Sequence, residues 1–541
     1  MRVAVDVPAL ADQGRQLDYL LPPAMGTDLL PGTIVRVPLH GRRVAAWVLA
    51  TDVVPPAGVA LQPIAKVTGW GPSPDVVELT SWGAWRWAGR RTALLRTASP
   101  LGAVRSLPPP VPAGTGPRPP GGEMASLAQE ALAAREAVVR LPPAADPTAF
   151  LGAVAGAGPL LVVTPGVEMA RLLARGLRRE GATVATVPEG WARAAGGGVT
   201  VIGARAAAWA PAPDAAAIVV IDAHDDGLVE QRAPSWSAWV VAAERARRAA
   251  VPCILVSPCP LLEQLQWGRL LVPPRPDERR GWAPVEVVDR GGDDPRSGLL
   301  GERLVPILRS ASGAARVVCV LNRKGRVRLS VCRVCGKPTV CEHCGAAVEA
   351  TGGSLSCRRC GTVRPVVCQS CGSASLRAVR VGVSKLRDDI EALARLPVGE
   401  VTAEVERLPD TPVVVGTEAV LHRAADAGVP VGRVIFLDFD AELLAPRYRA
   451  GEEALALLAR AARLVGGRSE SGGGGRVLVQ TRQPDHPVLD AAVRGDPGRV
   501  VEAELALRRE LRLPPAVALA ELSGDAGVVG AVVAGLGERP G

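Results

Sequence analysis

An α/β protein built from two parallel-sheet lobes, with a metal-binding insertion in the second and a small β-rich domain in front, is what this 541-residue sequence predicts. Three observations carry that expectation. Short apolar runs such as 160–163 and 217–221 alternate with helix-forming stretches in two separate blocks, as buried parallel strands joined by crossover helices do. Eight of the 11 cysteines fall between Cys332 and Cys371 as four Cys-x-x-Cys pairs. The opening residues instead alternate apolar and polar positions between turn signals, as half-buried strands do.

Residues 1–105 read as the β-rich domain. Alternation runs through 3–8, a Pro31-Gly32 turn follows, and 33–38 and 44–50 are strand-like. Trp82, Trp85 and Trp87 close this unit in a helix-like stretch, read as core or domain interface. Pro and Gly dominate 106–124, a semi-rigid linker. The first α/β block is 125–294. A helical stretch is expected over 125–138, strands at 160–164, 182–187, 199–203, 218–222 and 253–257, and helices at 167–180 and 239–249. The second block, 295–331 and 372–495, is split by the insertion 332–371. Its strands are expected at 316–321, 413–416, 434–438 and 476–481. Residues 496–541 read as the start of a C-terminal domain, and whether that domain is shortened stays open.

Composition narrows the class. With 48% hydrophobic and 22% charged residues, the chain is globular and long enough for several cores. No apolar run is long enough to span a bilayer. Arg2 and Asp6 interrupt the N-terminus, so no signal core forms, and a cytoplasmic protein away from membranes is expected. The formal net charge of +9 fits a polyanionic partner; drift in an Arg-rich composition is the alternative. The only lysines are Lys66, Lys324, Lys337 and Lys385.

The cysteine pairs are Cys332/Cys335, Cys341/Cys344, Cys357/Cys360 and Cys368/Cys371. Each tight turn aims two thiolates at one ion, and two pairs complete a tetrahedral shell, so eight thiolates serve two zinc ions. Four disulfides are the alternative, disfavoured in a chain without an export signal. A closed all-cysteine shell leaves no open position, so the metal is expected to be structural rather than catalytic.

Val318-Cys-Val-Leu-Asn-Arg-Lys-Gly325, followed by the eight cysteines and Cys371-Gly-Ser373, resembles the primosomal protein N′ (PriA) family of bacterial replication-restart helicases. Further matching segments are Gln16-Leu-Asp-Tyr-Leu-Leu-Pro22, Gly32-Thr-Ile-Val-Arg-Val-Pro38, Val201-Ile-Gly-Ala-Arg-Ala-Ala207, Val415-Gly-Thr417, Val479-Gln-Thr481 and Leu513-Pro-Pro515. The resemblance covers nearly the whole chain. It implies two RecA-like helicase lobes behind a DNA-binding domain that holds a nascent 3′ end. It also implies a nested zinc pairing: Cys332, Cys335, Cys368 and Cys371 for one ion, Cys341, Cys344, Cys357 and Cys360 for the other. A winged-helix domain usual in the family has no room between 106 and 124.

The family's ATP motifs are degraded here. A phosphate-binding Gly-x-x-x-x-Gly-Lys-[Ser/Thr] loop needs glycine N–H groups around the phosphates and a lysine to neutralise them. The matching stretch is Arg140-Leu-Pro-Pro-Ala-Ala-Asp-Pro-Thr148, with no glycine and with Asp146 aligned on the lysine. No lysine lies anywhere between Lys66 and Lys324. The Asp-Glu-Glu-His motif has become Asp222-Ala-His-Asp225, and the Ser-Ala-Thr motif Ser257-Pro-Cys259. In the arginine-finger region, Ala461-Ala-Arg-Leu-Val-Gly-Gly-Arg468, no arginine is assigned that role. Neither bound ATP nor an active ATPase is expected; no catalytic residue is assigned.

DNA contacts are expected from Asp18, Tyr19 and Arg36. Asp18 would accept from a terminal 3′-OH, Tyr19 would stack on a base, and Arg36, with Arg42 and Arg43, would meet phosphates. A turn Asp beside a core Tyr is the plain alternative. The zinc insertion could staple its lobe, touch DNA through Arg358, Arg359 and Arg364, or dock primosome proteins. The resemblance thus implies a protein that recognises stalled or abandoned forks, promotes primosome assembly and reloads the replicative helicase without its own motor. Its implied partners are forked DNA with a nascent 3′ end, single-stranded DNA-binding protein and the helicase-loading proteins. Two alternatives remain: an active ATP-dependent 3′→5′ helicase, and an adaptor that binds no DNA.

Overall fold

The computed structural model describes every residue except 8–15, 26–28, 56–57, 113–121, 294–297, 312–314, 322–329, 352, 379–382, 403, 406, 470–473, 520–521, 523 and 538–541. The Asn322–Gly325 turn and residues 113–121 of the linker expected at 106–124 lie outside the described residues.

The N-terminal sheet is antiparallel, in the order Gln16–Asp18, Arg2–Val5, Arg42–Ala50, Ile34–Leu39, Lys66–Gly69. Period-two alternation sets its faces: Val35 and Val37 are fully buried while Arg36 between them is exposed. His40 and Gly41 both have positive φ, 47° and 76°, the geometry of a two-residue hairpin turn joining Leu39 to Arg42. Two helices follow, Pro74–Arg86 and Arg91–Ala98. Val76, Leu79 and Leu94 on them share one core with Trp209 and Val163 of the next lobe. A Cβ at Gly83 would lie 2.8 Å from the Trp209 ring, and Trp191 Nε1 donates to the Ala98 carbonyl at 2.9 Å. The unit read as 1–105 therefore has a core of its own, around Val3, Val35 and Val37, and shares a second core with the first lobe.

The first lobe is a seven-stranded parallel sheet, ordered Arg269–Leu271, Glu136–Val139, Cys253–Val256, Ala217–Ile221, Leu160–Val163, Thr200–Gly203, Val184–Val187. Its central strands are buried on both faces, which is why they read as unbroken apolar runs. The helix expected over 125–138 stops at Ala134. Arg135 turns left-handed, φ 64°, and Glu136–Val139 begins the sheet.

The second lobe is a six-stranded parallel sheet, ordered Val285–Asp289, Arg476–Thr481, Val431–Phe436, Arg316–Val320, Val413–Gly416, Val398–Val401. Val285–Asp289 pairs residue by residue with Val477–Thr481, so the second lobe begins before 285 and not at 295. The boundary at 294 followed the Gly/Asp-rich loop composition, which marks a loop inside the lobe. The insertion is also slightly longer than 332–371, because Ser330–Cys332 pairs with Leu376–Ala378 at its neck. A three-stranded sheet, Glu349–Thr351, Ser354–Ser356 and Val363–Pro365, forms its body. The helix Gly498–Glu510 closes the second lobe, with Leu507 and Leu511 packed on the insertion's core. No described helix is long and apolar enough to cross a membrane.

Candidate nucleotide cleft, metal centres and nucleic-acid interface

In parallel sheets the ligand crevice lies beyond the C-terminal strand ends. In the first lobe those ends carry the 140–146 loop, Asp222 and Ser257. The helix Pro147–Ala155 starts there, but its free N–H groups are partly spent. Asp146 is its N-cap and accepts from Thr148 N at 2.9 Å, and Pro147 has no N–H to offer. Arg140 is tied down by Glu278, Nε to Oε1 2.6 Å, where Glu278 is only 2% exposed.

The second lobe fills the facing side. Arg460 and Arg463 lie three apart on the helix Ala450–Val465 and so project from one face. Arg463 donates to both oxygens of Asp222, at 2.5 and 2.7 Å, and its Nε donates to the Pro143 carbonyl at 3.0 Å. Arg460 donates to Asp225 at 2.6 Å and also pairs with Glu418. Burial alone would raise the Asp222 pKa. The charge and hydrogen bonds of Arg463, helped by His224 and Arg460, reverse this and bring it down to about 2. His224, whose pKa burial pushes down, sits 2.9 Å from Ser257 Oγ.

Backbones of the two lobes also touch. Arg468 N donates to the Arg280 carbonyl at 2.8 Å, and a Cβ at Gly467 would lie 2.4 Å from that same oxygen. Further along the seam, Glu452 accepts from Leu262 N at 2.7 Å and pairs with Arg508, which is fully buried. Arg449 meets Glu263 at 2.7 Å. At this crevice a carboxylate caps the helix, prolines stand at 142, 143 and 147, and a guanidinium lies between the 143 carbonyl and Asp222.

The eight cysteines converge as two groups, Cys332, Cys335, Cys368 and Cys371 in one and Cys341, Cys344, Cys357 and Cys360 in the other. Within each group the Sγ atoms lie within 4.8 Å of one another, with close pairs at 3.5 to 3.7 Å. A disulfide needs roughly 2.05 Å. A tetrahedron of thiolates with Zn–S of about 2.3 Å has an edge of about 3.8 Å, so the donor set and its spacing fit zinc. All four pairs are one repeated knuckle. The glycine after each second cysteine, Gly336, Gly345, Gly361 and Gly372, has φ between 70° and 77° and donates back to the first cysteine's carbonyl at 2.8 to 3.0 Å. Space does not demand glycine at Gly345, Gly361 or Gly372; the left-handed backbone does. Arg359 and Arg364, read as candidate DNA contacts, bond backbone carbonyls of Cys344, Ala445, Val340 and Val367, and Arg358 pairs with Glu349.

On the N-terminal sheet, Asp18 is held by Arg2 in a two-bond ion pair, 2.9 and 3.1 Å. Tyr19 is 6% exposed, lies in the domain core with Val3 and Val35, and its hydroxyl donates to the Pro38 carbonyl at 2.8 Å. Base stacking by Tyr19 is therefore corrected: its ring is used as core. Arg36 is exposed and opposes Lys66 across the strands, and the exposed Arg43 opposes Pro38 on the same face. The sequence reading missed Arg460, Arg463 and Asp225 as partners across the seam; the spacing Arg460-x-x-Arg463 beside Asp222-x-x-Asp225 was its only trace. It also missed the knuckle glycines, although a glycine follows every Cys-x-x-Cys pair.

A small antiparallel-sheet domain thus leads into two parallel-sheet lobes, the second carrying an eight-thiolate insertion. Residues 2–100 match the family model of the PriA 3′ DNA-binding domain (3′BD). The Probable replication restart protein PriA of Mycobacterium tuberculosis (strain ATCC 25618 / H37Rv) is 31% identical over 96% of this chain and 86% of that protein. The Replication restart protein PriA of Treponema pallidum is 30% identical over 59% of this chain and 51% of its own length. That of Bacillus subtilis is 26% identical over 58% and 42%. RecG bound to a three-way DNA junction superposes with a TM-score of 0.39 at 8% identity, covering 71% of this chain and 47% of RecG. The chain belongs to the PriA family of replication restart proteins, and it is a DNA-binding protein of that family.

Proposed function

We propose that this chain recognises abandoned forks and supports primosome assembly and helicase reloading as a scaffold, without turning over ATP. The Arg463–Asp222 bridge carries this reading. It puts a guanidinium on the carboxylate that in a motor would hold magnesium. The Asp146 cap supports it, because an N-terminal carboxylate faces the place where phosphates would bind. Loss of a single such electrostatic element costs about 10²–10³ in rate, and here several are lost together.

DNA is engaged through the basic face formed by Arg36, Arg43 and Lys66; Asp18 and its Arg2 partner lie at the opposite edge of the same sheet. Two zinc ions, held by the two cysteine groups, staple the insertion onto the second lobe and onto Gly498–Glu510. Single-stranded DNA-binding protein and the helicase-loading machinery are the partners this role requires, in the cytoplasm. The test is a labelled fork with a nascent 3′ end, incubated with ATP. Binding without strand displacement supports the scaffold; ATP-dependent displacement, abolished by Asp222→Ala, would refute it.

A further inference from the structure

Three cavities, lined from both lobes, share His224, Asp225 and Asp226 in their walls and are taken together as one groove. One end, about 570 Å³, lies where the helix Pro74–Arg86 meets the lobes. Trp82, Trp87, Trp239, Trp267 and Tyr448 line it, five of only sixteen aromatic residues in the chain. The chain's own guanidiniums already use these rings: Arg86 lies 5.9 Å from the Trp87 centroid, and Arg449 5.3 Å from that of Tyr448. Two buried polar atoms at this end, Glu263 Oε2 and Ser237 Oγ, have no hydrogen-bond partner.

The other end, about 660 Å³, lies between the helices Val167–Arg179 and Ala419–Ala427. Val167 and Leu172 are half-exposed there, beside Met169 and Leu464. Its carboxylates are Glu168, Asp222, Asp225, Asp226, Glu418 and Asp426, against only two arginines. Those two, Arg460 and Arg463, are consumed by Asp225, Glu418 and Asp222. Burial drives the pKa values of His224 and His422 down, so neither offsets the deficit. Arg171 and Arg423 touch Glu168 and Asp426 from outside, which reduces the negative field without reversing it. In a chain of net charge +9, this groove is locally acidic. A phosphodiester backbone laid along it would meet like charges and be repelled.

We infer that the groove takes a basic, amphipathic segment of a protein partner. Arginines or lysines of that segment lie over the tryptophan faces and against Glu263, and its apolar side covers Val167 and Leu172. This rests on the proposed scaffold role, in which the fork is held by the N-terminal basic face and not by the lobes.

The probe is a synthetic helical peptide of leucine and arginine without aromatic residues, followed by tryptophan emission of the full chain. The variant is Glu168→Arg/Asp426→Arg, at rim positions exposed enough to leave the fold intact. The expected result is saturable quenching in the wild type, weakened roughly tenfold in the variant, with oligo-dT binding undiminished. Peptide affinity unchanged by the double reversal would overturn the inference and leave the scaffold reading standing. Displacement of the peptide by oligo-dT would overturn both.

Discussion

Arg463 of the second lobe and Asp222 of the first form a two-bond ion pair across the cleft, at 2.5 and 2.7 Å, over 241 positions of sequence. A carboxylate 5% exposed is costly to leave alone. Removing one partner strands a buried charge, so Asp222→Ala should destabilise the chain by about 3 kcal/mol, and Arg463→Ala by a similar amount. The double variant should lose well under the sum. Urea denaturation in a double-mutant cycle measures this; simple additivity would mean the bridge holds nothing together.

Acid should weaken the same bridge. The Asp222 pKa falls from 3.8 to about 2 on folding, so the stabilisation is complete above about pH 4 and disappears as pH drops toward 2. The shift corresponds to about 2 kcal/mol. The difference in stability between wild type and Asp222→Asn should be constant from pH 7 to about pH 5 and shrink below about pH 4. Denaturant melts across that range provide the check.

The helix cap at Asp146 is structural. Asp146→Ala should cost about 1 kcal/mol of stability, the usual worth of an N-cap, and should not create nucleotide affinity. Thermal denaturation and fluorescent-nucleotide titration of that variant separate the two effects.

Each cysteine group should act independently. Cys344→Ser should lower the metal content from two zinc ions per chain to one and loosen Gly498–Glu510, whose Leu507, with Leu511 just beyond the helix, packs on that centre. A structural zinc contributes on the order of 10 kcal/mol, so the loss should be visible as faster hydrogen exchange in that helix. Elemental analysis with exchange mass spectrometry reads both; two zinc ions retained would refute the grouping.

DNA binding should follow charge and not the Tyr19 ring. Arg36→Ala/Arg43→Ala should flatten the salt dependence of fork binding by about 0.9 for each phosphate that is no longer neutralised. Tyr19→Phe should leave affinity alone and cost about 1 kcal/mol of stability, because the hydroxyl no longer bonds Pro38. Anisotropy titrations over a salt series distinguish these outcomes.

The parts of the fold that were legible are those written locally. Ala217–Ile221 is buried at every position, so the sequence shows an unbroken apolar run. The cysteine pairs are legible because each knuckle closes within a few residues. What escaped depends on distant partners. Val285–Asp289 belongs to the second lobe only because Val477–Thr481 lies beside it. Tyr19 reads as a base-stacking ring or as a core ring until the Pro38 carbonyl is seen to take its hydroxyl. Nothing near Asp222 in sequence announces Arg463. The degraded phosphate loop was legible as missing lysine and glycine, but the guanidinium that stands in the cleft was not.

Steady-state ATP turnover by the zinc-replete full chain, with forked DNA present, tests the absence of a motor most directly. Lobes bridged by Arg463 and Asp222 should hydrolyse ATP no faster than the Asp222→Ala variant, which is to say at background. DNA-stimulated turnover at about 1 s⁻¹ or more, lost in Asp222→Ala, would contradict it.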